Sequence, residues 1–458
     1  MRLEEIKSPG LAHTSYYLSD QGKAFVIDPK RDIGDYLKLA REDCASIDLV
    51  FETHRNEDYI IGSSELKAET GAEICHSKET DFKYGDHSLS DGEDFKLGNL
   101  KIEALYTPGH TFDSMCYVLY DWRNRDDPLM VFTGDTMFIG DVGRTDLPGE
   151  KHWEELSGEL YDSLHEKVLP LGNHVIVHPA HTAGSICGSR ISDREWSTIG
   201  YEKKTNPQLT MTREEFIEDR LNNFMHRPQY FRRMEEWNLR GAPLLSTIPD
   251  VKMVNPVDFD NMTDMEGTIV LDTREPDAFA ASHIPGSINI WLWGASYFTG
   301  LVIDYDQRVL LVVERKEDAT TAVNYLHRIG YDDILGYLCV GLKAWRNAGR
   351  PTTSLGAIHA PELKSKVENN EVHVLDVRED HEWESGHIEG SQNIYVGHLQ
   401  GELSKIPGDK PIVVHCGWGG RGGIAASILK RNGFENVYNL LGGMHAWRRF
   451  GYDVVLSN

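Results

Sequence analysis

The sequence predicts an α/β multidomain fold, and three observations lead to that class. The chain has 458 residues, and at roughly 100–200 residues per domain about three domains are expected. Its C-terminal half repeats itself at the period of a whole domain. Its apolar runs are short, alternate with helix-like segments and close on ionisable residues, as in sheets whose strand ends gather polar groups. A hydrophobic content of 40%, with 10% aromatic residues, suits packed cores and argues against disorder. Lys+Arg 47 against Asp+Glu 72 leaves a net charge of −25. That field repels phosphate backbones and anionic lipid, so no nucleic acid and no membrane is expected among the partners. No stretch reaches the ~18 apolar residues of a membrane span, and MRLEEIKSPGLAHTS lacks the apolar core of a signal peptide. A cytoplasmic setting follows, and the six scattered cysteines, without a CxxC pair, fit a reducing compartment.

Taken in order, the first ~205 residues carry β-rich runs: AFVID, IDLVFETH, LKIEALYTPGH, LMVFTGD and HVIVHPAH. Each ends in polar or ionisable residues, which is how a layered fold assembles a site at one sheet edge. TREEFIEDRLNNF and PQYFRRMEEWNLRG read as helices, after which Gly241, Pro243, Pro249 and Pro256 interrupt the chain. Domains are therefore expected at 1–245, 246–352 and 353–458.

The repeat occupies the last two. LDTREPDAFAASHIPGSINI and LDVREDHEWESGHIEGSQNI share L-D-x-R-E, H-I-x-G-S and N-I, and Asp376 lies 104 positions after Asp272. GLKAWRNAG and GMHAWRRFG follow at an offset of 102. A period this long exceeds that of a solenoid repeat and marks two copies of a domain. TIVLD, RVLLVV, VHVLD and PIVVH read as buried strands alternating with helices, hence parallel sheets.

The N-terminal region holds four ordered clusters: His54 and Asp58 in THRNEDY, His110 in TPGHT, Asp135 in FTGDT and His181 in HPAHTAGSICG. Their order and flanking strands resemble the metallo-β-lactamase superfamily, with its H-x-H-x-D-H turn, lone His, bridging Asp and last His. The resemblance implies an αββα sandwich, carried here with a C-terminal helical extension. Asn56 stands where that turn has its second His, and Tyr59 where it has its final His. Amide and phenol are poor zinc ligands beside imidazole, so a dinuclear hydrolase centre is not expected. His54, His110 and Asp135 remain as ligands to one metal, with Asp58, Tyr59 and His181 supporting them. Two imidazoles and one carboxylate with open positions suit non-haem Fe(II). Persulfide dioxygenases of the superfamily use such a set, and GDTMFIGDVGRTDLPG also resembles them. One Fe(II) per chain is implied, with zinc as an alternative in isolated protein. Arg144 is implied to contact the anionic thiol carrier, an Arg fork suiting a carboxylate. Cys187 is read as a buried thiol within reach of the same cleft.

Both C-terminal copies resemble rhodanese domains, through D-x-R (Asp272, Arg274; Asp376, Arg378), the HI-x-G turn and the G-x-x-A-W helix. In the second copy PIVVH delivers CGWGGRGG, where Cys416 and Arg421 match the family's catalytic loop. A strand ending in Cys, a glycine-rich turn and a helix start form a cradle of backbone N–H groups that stabilises anionic sulfur. Gly417, Gly419 and Gly420 let the backbone curl, and Arg421 is expected to add positive charge for sulfite or thiosulfate. In the first copy Glu314 aligns with the nucleophile and Ala319 with Arg421, so that copy is expected to be inactive, with a spacer or docking role. Asp–Arg pairs are read as structural, and Cys44, Cys75, Cys116 and Cys339 as core.

Together these resemblances imply a persulfide dioxygenase making sulfite from a thiol persulfide and O2, fused to a sulfurtransferase that handles sulfite and thiosulfate at Cys416. Fusion keeps sulfite local, and a homo-oligomer is expected. Alternatives are a glyoxalase II-like zinc thioester hydrolase fused to a rhodanese, and a persulfide carrier whose metal domain is inactive.

Overall fold

Strands covered on both faces need a layer on each side, and the N-terminal region supplies two sheets and flanking helices. A computed structural model of the chain describes residues 1–188, 190–223, 226–245 and 252–456. In the first sheet Arg2–Ser8, His13–Asp20, Lys23–Ile27, Ser46–Phe51, Glu73–Ser77 and His87–Leu89 lie side by side in chain order. Its first two pairings are antiparallel and the rest parallel. The second sheet runs Asp94–Leu97, Leu100–Tyr106, Met115–Asp121, Asn124–Gly134, Ile176–Pro179, Ser197–Thr198, again in chain order.

Between the sheets pack Leu18, Phe25, Phe51, Tyr117, Leu119 and Phe132. Alternate residues of the same strands, Tyr17, Val26 and Val50, face outward onto Tyr36, Ala40 and Leu66, which belong to helices Gly34–Glu42 and Ser63–Thr70. On the other side Val118, Val131 and Val177 meet Leu160 and Phe216, from helices Trp153–Asp162 and Arg213–Asn222. The expected αββα sandwich is thus built by period-two alternation. Both expected helices form: Arg213–Asn222, started by a Thr212–Glu215 capping box, and Phe231–Arg240.

Met1–Ile248 with Arg328–Gly330 form one unit, and Pro249–His327 with Tyr331–Asn458 the other. The expected boundary at 245/246 falls on 246–251, which lie outside the described residues. The second unit contains two parallel five-stranded sheets of one topology. Met253–Val254, Ile334–Leu338, Arg308–Val312, Thr268–Asp272 and Ile288–Asn289 form the first. Gly356–Ile358, Val437–Leu440, Ile412–His415, His373–Asp376 and Gln392–Asn393 form the second. Trp345 and Trp447 close their respective cores.

Two cysteine assignments change. Cys75 and Cys116 are buried, but Cys44 is exposed and Cys339 half-buried. Cys44 sits at φ 50° in the turn between helix and strand, where an apolar-run argument has nothing to say. Among the described residues no helix is long and apolar enough to cross a membrane.

Candidate metal centre and sulfur-transfer loop

His54, His110, Asp135 and His181 each lie in a loop directly after a strand of the sandwich, so the two sheets deliver them to one edge. His54 Nδ1 sits 2.9 Å from Thr53 Oγ1. That hydroxyl donates its one proton to Asp28 Oδ2 at 2.6 Å, so His54 donates through Nδ1, which leaves Nε2 as the nitrogen a metal can take. His110 is fixed in the same sense, its Nδ1 donating to the Arg144 carbonyl at 2.8 Å. Both Nε2 atoms are buried and make no hydrogen bond among the described residues. Imidazoles oriented by a second partner, with the other nitrogen unspent, are what a metal site requires. Gly143 permits the approach, since a Cβ there would lie 2.0 Å from the Asp135 carbonyl oxygen and 3.1 Å from His110 Nδ1.

The ligating atoms of His54, His110, Asp135 and Glu57 lie within 4.8 Å of one another, as do those of Asp58, His181 and Cys187. Asp135 Oδ2 is 3.5 Å from His110 Nε2. Glu57 went unrecognised in the sequence reading. Its signal was an acidic residue three positions after His54 in the same turn. In the second group both ring nitrogens of His181 are spent, on Asp135 at 2.8 Å and on Asp58 at 3.1 Å. Asp58 and His181 thus stand beside the expected ligands rather than apart from them. Tyr59 is buried, with its hydroxyl 2.9 Å from His13 Nε2. Asn56 turns back, Nδ2 donating to the His54 carbonyl at 3.3 Å.

Burial lowers the His54 imidazole, but Glu57, Asp135 and Asp28 outweigh it and hold it at about 9. Burial raises Asp135, but His181, His110 and His54 draw it down to about 2. Burial pushes the Cys187 thiol well up. A cation taking His54 Nε2 therefore displaces a proton from it.

Arg144, expected to contact the thiol carrier, is engaged with groups of its own chain. Its side chain is only 3% exposed, and its fork grips Asp146 at 2.6 and 2.8 Å. A further nitrogen donates to the carbonyls of Ile186 and His226 at 3.3 and 3.2 Å. What Arg144 contributes to the cluster is its backbone carbonyl on His110.

At the other site, Cys416 ends strand Ile412–His415 and is fully buried. Gly419 N–H donates to Cys416 Sγ at 3.1 Å, one turn before helix Gly420–Arg431. Gly419 adopts φ +125°, and Gly443 is held by contact, since its Cβ would lie 2.3 Å from the Cys416 carbonyl oxygen. Gly417 and Gly420 lie in the same loop, where a Cβ on Gly420 would strike Trp418 at 2.5 Å. The Arg421 guanidinium is paired with Glu382 at 2.8 Å. Glu382 balances that charge in the protein, and the cradle's donor to Cys416 is the backbone N–H of Gly419. The first copy reaches this loop: its Trp291 meets Trp418 edge-on at 5.2 Å, so it forms part of the wall around the Cys416 loop.

The two copies share an Asp–Arg–Asn scaffold. Arg274 grips Asp272 at 2.6 Å and Arg378 grips Asp376 at 2.6 Å. Asn289 and Asn393 each donate to the carbonyls of that Asp and that Arg.

A two-sheet sandwich with a histidine–carboxylate cluster at its strand ends, followed by two parallel α/β copies of which one carries a cysteine loop, defines the class: a metal-binding sandwich joined to a doubled α/β domain. The chain belongs to the metallo-beta-lactamase superfamily, whose pattern matches residues 8–181, and it carries two rhodanese-like domains, matched at 255–348 and 359–450. It is 29% identical over 231 residues to the human mitochondrial persulfide dioxygenase ETHE1, covering 50% of this chain and 83% of that one. It is 30% identical over 210 residues to a mitochondrial hydroxyacylglutathione hydrolase of Saccharomyces cerevisiae, covering 43% and 70%. A metallo-beta-lactamase structure from Staphylococcus aureus is similar with a TM-score of 0.66 at 29% identity, covering 74% of this chain and 98% of that one.

Proposed function

We propose that the chain oxidises a low-molecular-weight thiol persulfide to sulfite at its metal cluster and transfers sulfane sulfur at Cys416. The observation that carries the first half is the donor set: two imidazoles with free Nε2 atoms beside Asp135, in a turn where Asn56 has replaced an imidazole. Such a set suits Fe(II) with open positions, and the similarity to persulfide dioxygenases supports the same reading. When bound, Fe(II) supplies the redox chemistry by which O2 oxidises sulfur. One persulfide, one O2 and one water then yield the thiol, sulfite and two protons. The chain's part is orientation and exclusion: Thr53 and the Arg144 carbonyl set both tautomers, and the full burial of the cluster keeps bulk water away.

At Cys416 the thiolate attacks the outer sulfur of a persulfide, the S–S bond breaks and the carrier thiol leaves. The Gly419 N–H steadies the negative charge on sulfur. Sulfite then attacks the outer sulfur of the Cys416 persulfide and departs as thiosulfate, restoring the thiolate.

A thioester hydrolase is the second reading, favoured by the hydroxyacylglutathione hydrolase relatives and by the second donor group. The occupation of both His181 nitrogens and the pairing of Tyr59 with His13 weigh against two metals. Metal content and O2 uptake measured on one sample separate them. One iron per chain with persulfide-dependent uptake supports the oxygenase. Two zinc ions with thioester hydrolysis and no uptake would sink it. His110→Ala should abolish uptake and leave sulfur transfer intact.

A further inference from the structure

We propose that Glu57 is a fourth protein ligand, so that the centre consists of two imidazoles and two carboxylates. Glu57 Oε1 lies 3.2 Å from His110 Nε2, and Glu57 Oε2 lies 3.6 Å from His54 Nε2. Atoms each about 2.1 Å from one ion stand about 3.0 Å apart at right angles and about 3.4 Å apart at the tetrahedral angle. The spacings are those of one coordination shell. Glu57 is 1% exposed, yet its Oε2 makes no hydrogen bond among the described residues, and neither do the two Nε2 atoms it faces. In the ion-free cluster only these imidazole–carboxylate contacts offset the burial of three atoms that make no hydrogen bond, and a metal between them would engage all three at once.

The local chain explains why position 57 serves. Asn56 points back at its own turn, so the place left by an imidazole at 56 is filled by the next side chain. Glu57 is also held in its pose. Cys187 Sγ donates to Glu57 Oε1 at 3.3 Å, and the Cys187 carbonyl accepts from Arg144 N–H at 3.1 Å. The Arg144 carbonyl in turn fixes His110. Arg144 and Cys187 therefore orient two ligands through one pair of strapped backbones. Two carboxylates neutralise a divalent cation, where Asp135 alone would leave a net charge buried at a desolvation cost. A six-coordinate ion still keeps two positions for exogenous ligands.

This assignment rests on metal binding by the cluster and is independent of the oxygenase chemistry, so it is tested with a metal that need not turn over. Full-length protein is titrated with Co(II) under argon against a competing chelator, with the visible d–d spectrum recorded. Glu57→Gln should weaken Co(II) binding by about ten- to a hundredfold and alter the band positions, while Glu57→Asp recovers part of the affinity. Cys187→Ala should weaken it less than Glu57→Gln does. Wild-type affinity and spectrum in Glu57→Gln would overturn the assignment. Circular dichroism before loading checks that each variant is folded. Should Glu57→Gln not fold, a crystal structure of the cobalt-loaded wild type decides: a Glu57 oxygen about 2.1 Å from cobalt supports the assignment, and one beyond about 3 Å overturns it. Loss of persulfide-dependent uptake with the cobalt result intact would overturn the oxygenase reading alone.

Discussion

The two rhodanese-like copies share a scaffold and differ in one loop. Asp272–Arg274 and Asp376–Arg378 are equally tight. His283 stacks on Phe279 at 3.9 Å as His387 stacks on Trp383 at 3.7 Å, both at 11°. Trp345 and Trp447 each donate an indole N–H to the chain six residues on. Yet after one strand come Cys416 and a run of glycines, and after the other come Glu314 and an Arg315–Asp318 ion pair at 2.8 Å. The difference teaches that holding a five-stranded parallel sheet together and building an anion cradle are separable tasks, given to different residues.

Four experiments can break or sharpen that contrast. Cys416→Ser should reduce sulfur transfer by at least about a thousandfold, and adding Glu314→Cys should restore nothing, because no glycine turn presents that thiol. Transfer in the double variant would end the contrast. Removing one partner of a buried pair costs about 3–5 kcal/mol, so Asp272→Asn and Asp376→Asn should destabilise their copies similarly in urea unfolding. A clear inequality would show that one copy uses its pair differently. Next come Gly443→Ala and Gly341→Ala, both at positive φ and each costing about 1–3 kcal/mol in strain. The new Cβ lies 2.3 Å from the Cys416 carbonyl oxygen in one and 3.0 Å from the Val313 carbonyl oxygen in the other. Gly443→Ala should therefore be the worse for stability and should also slow transfer. The smallest effect concerns pH. Burial lowers His283 to about 4 against an ordinary 6.5. Its stabilising contribution is complete above pH 6.5 and drains away as pH falls toward 4. His283→Gln should flatten the melting temperature between those values, and an unchanged slope would show that His283 is not the titrating group.

The metal cluster was less legible than the repeat. Ordered His and Asp positions at strand ends pointed to His54, His110, Asp135 and His181, because those residue types have few other reasons to close four separate strands. Glu57 was hidden, since one acidic residue in a polar turn looks like solvated surface until the turn is seen to be buried. Arg144 shows the opposite limit: an Arg near a site reads as an anion contact, and only the structure shows Asp146, two residues on, in its fork. Arg421 repeats the lesson with Glu382, thirty-nine residues away along the chain.

The sequence by itself determined the fold class, the doubled domain, the loss of imidazole at positions 56 and 59, and the single cysteine with a loop to carry it. Those follow from residue type and spacing, which act locally or repeat along the chain. The tertiary structure decided which charges are already spent: Arg144 on Asp146, Arg421 on Glu382, His181 on two carboxylates. It also decided which donors remain unspent, at His54, His110 and Glu57. Pairing depends on which side chains share one buried space, and distance along the chain carries no record of that.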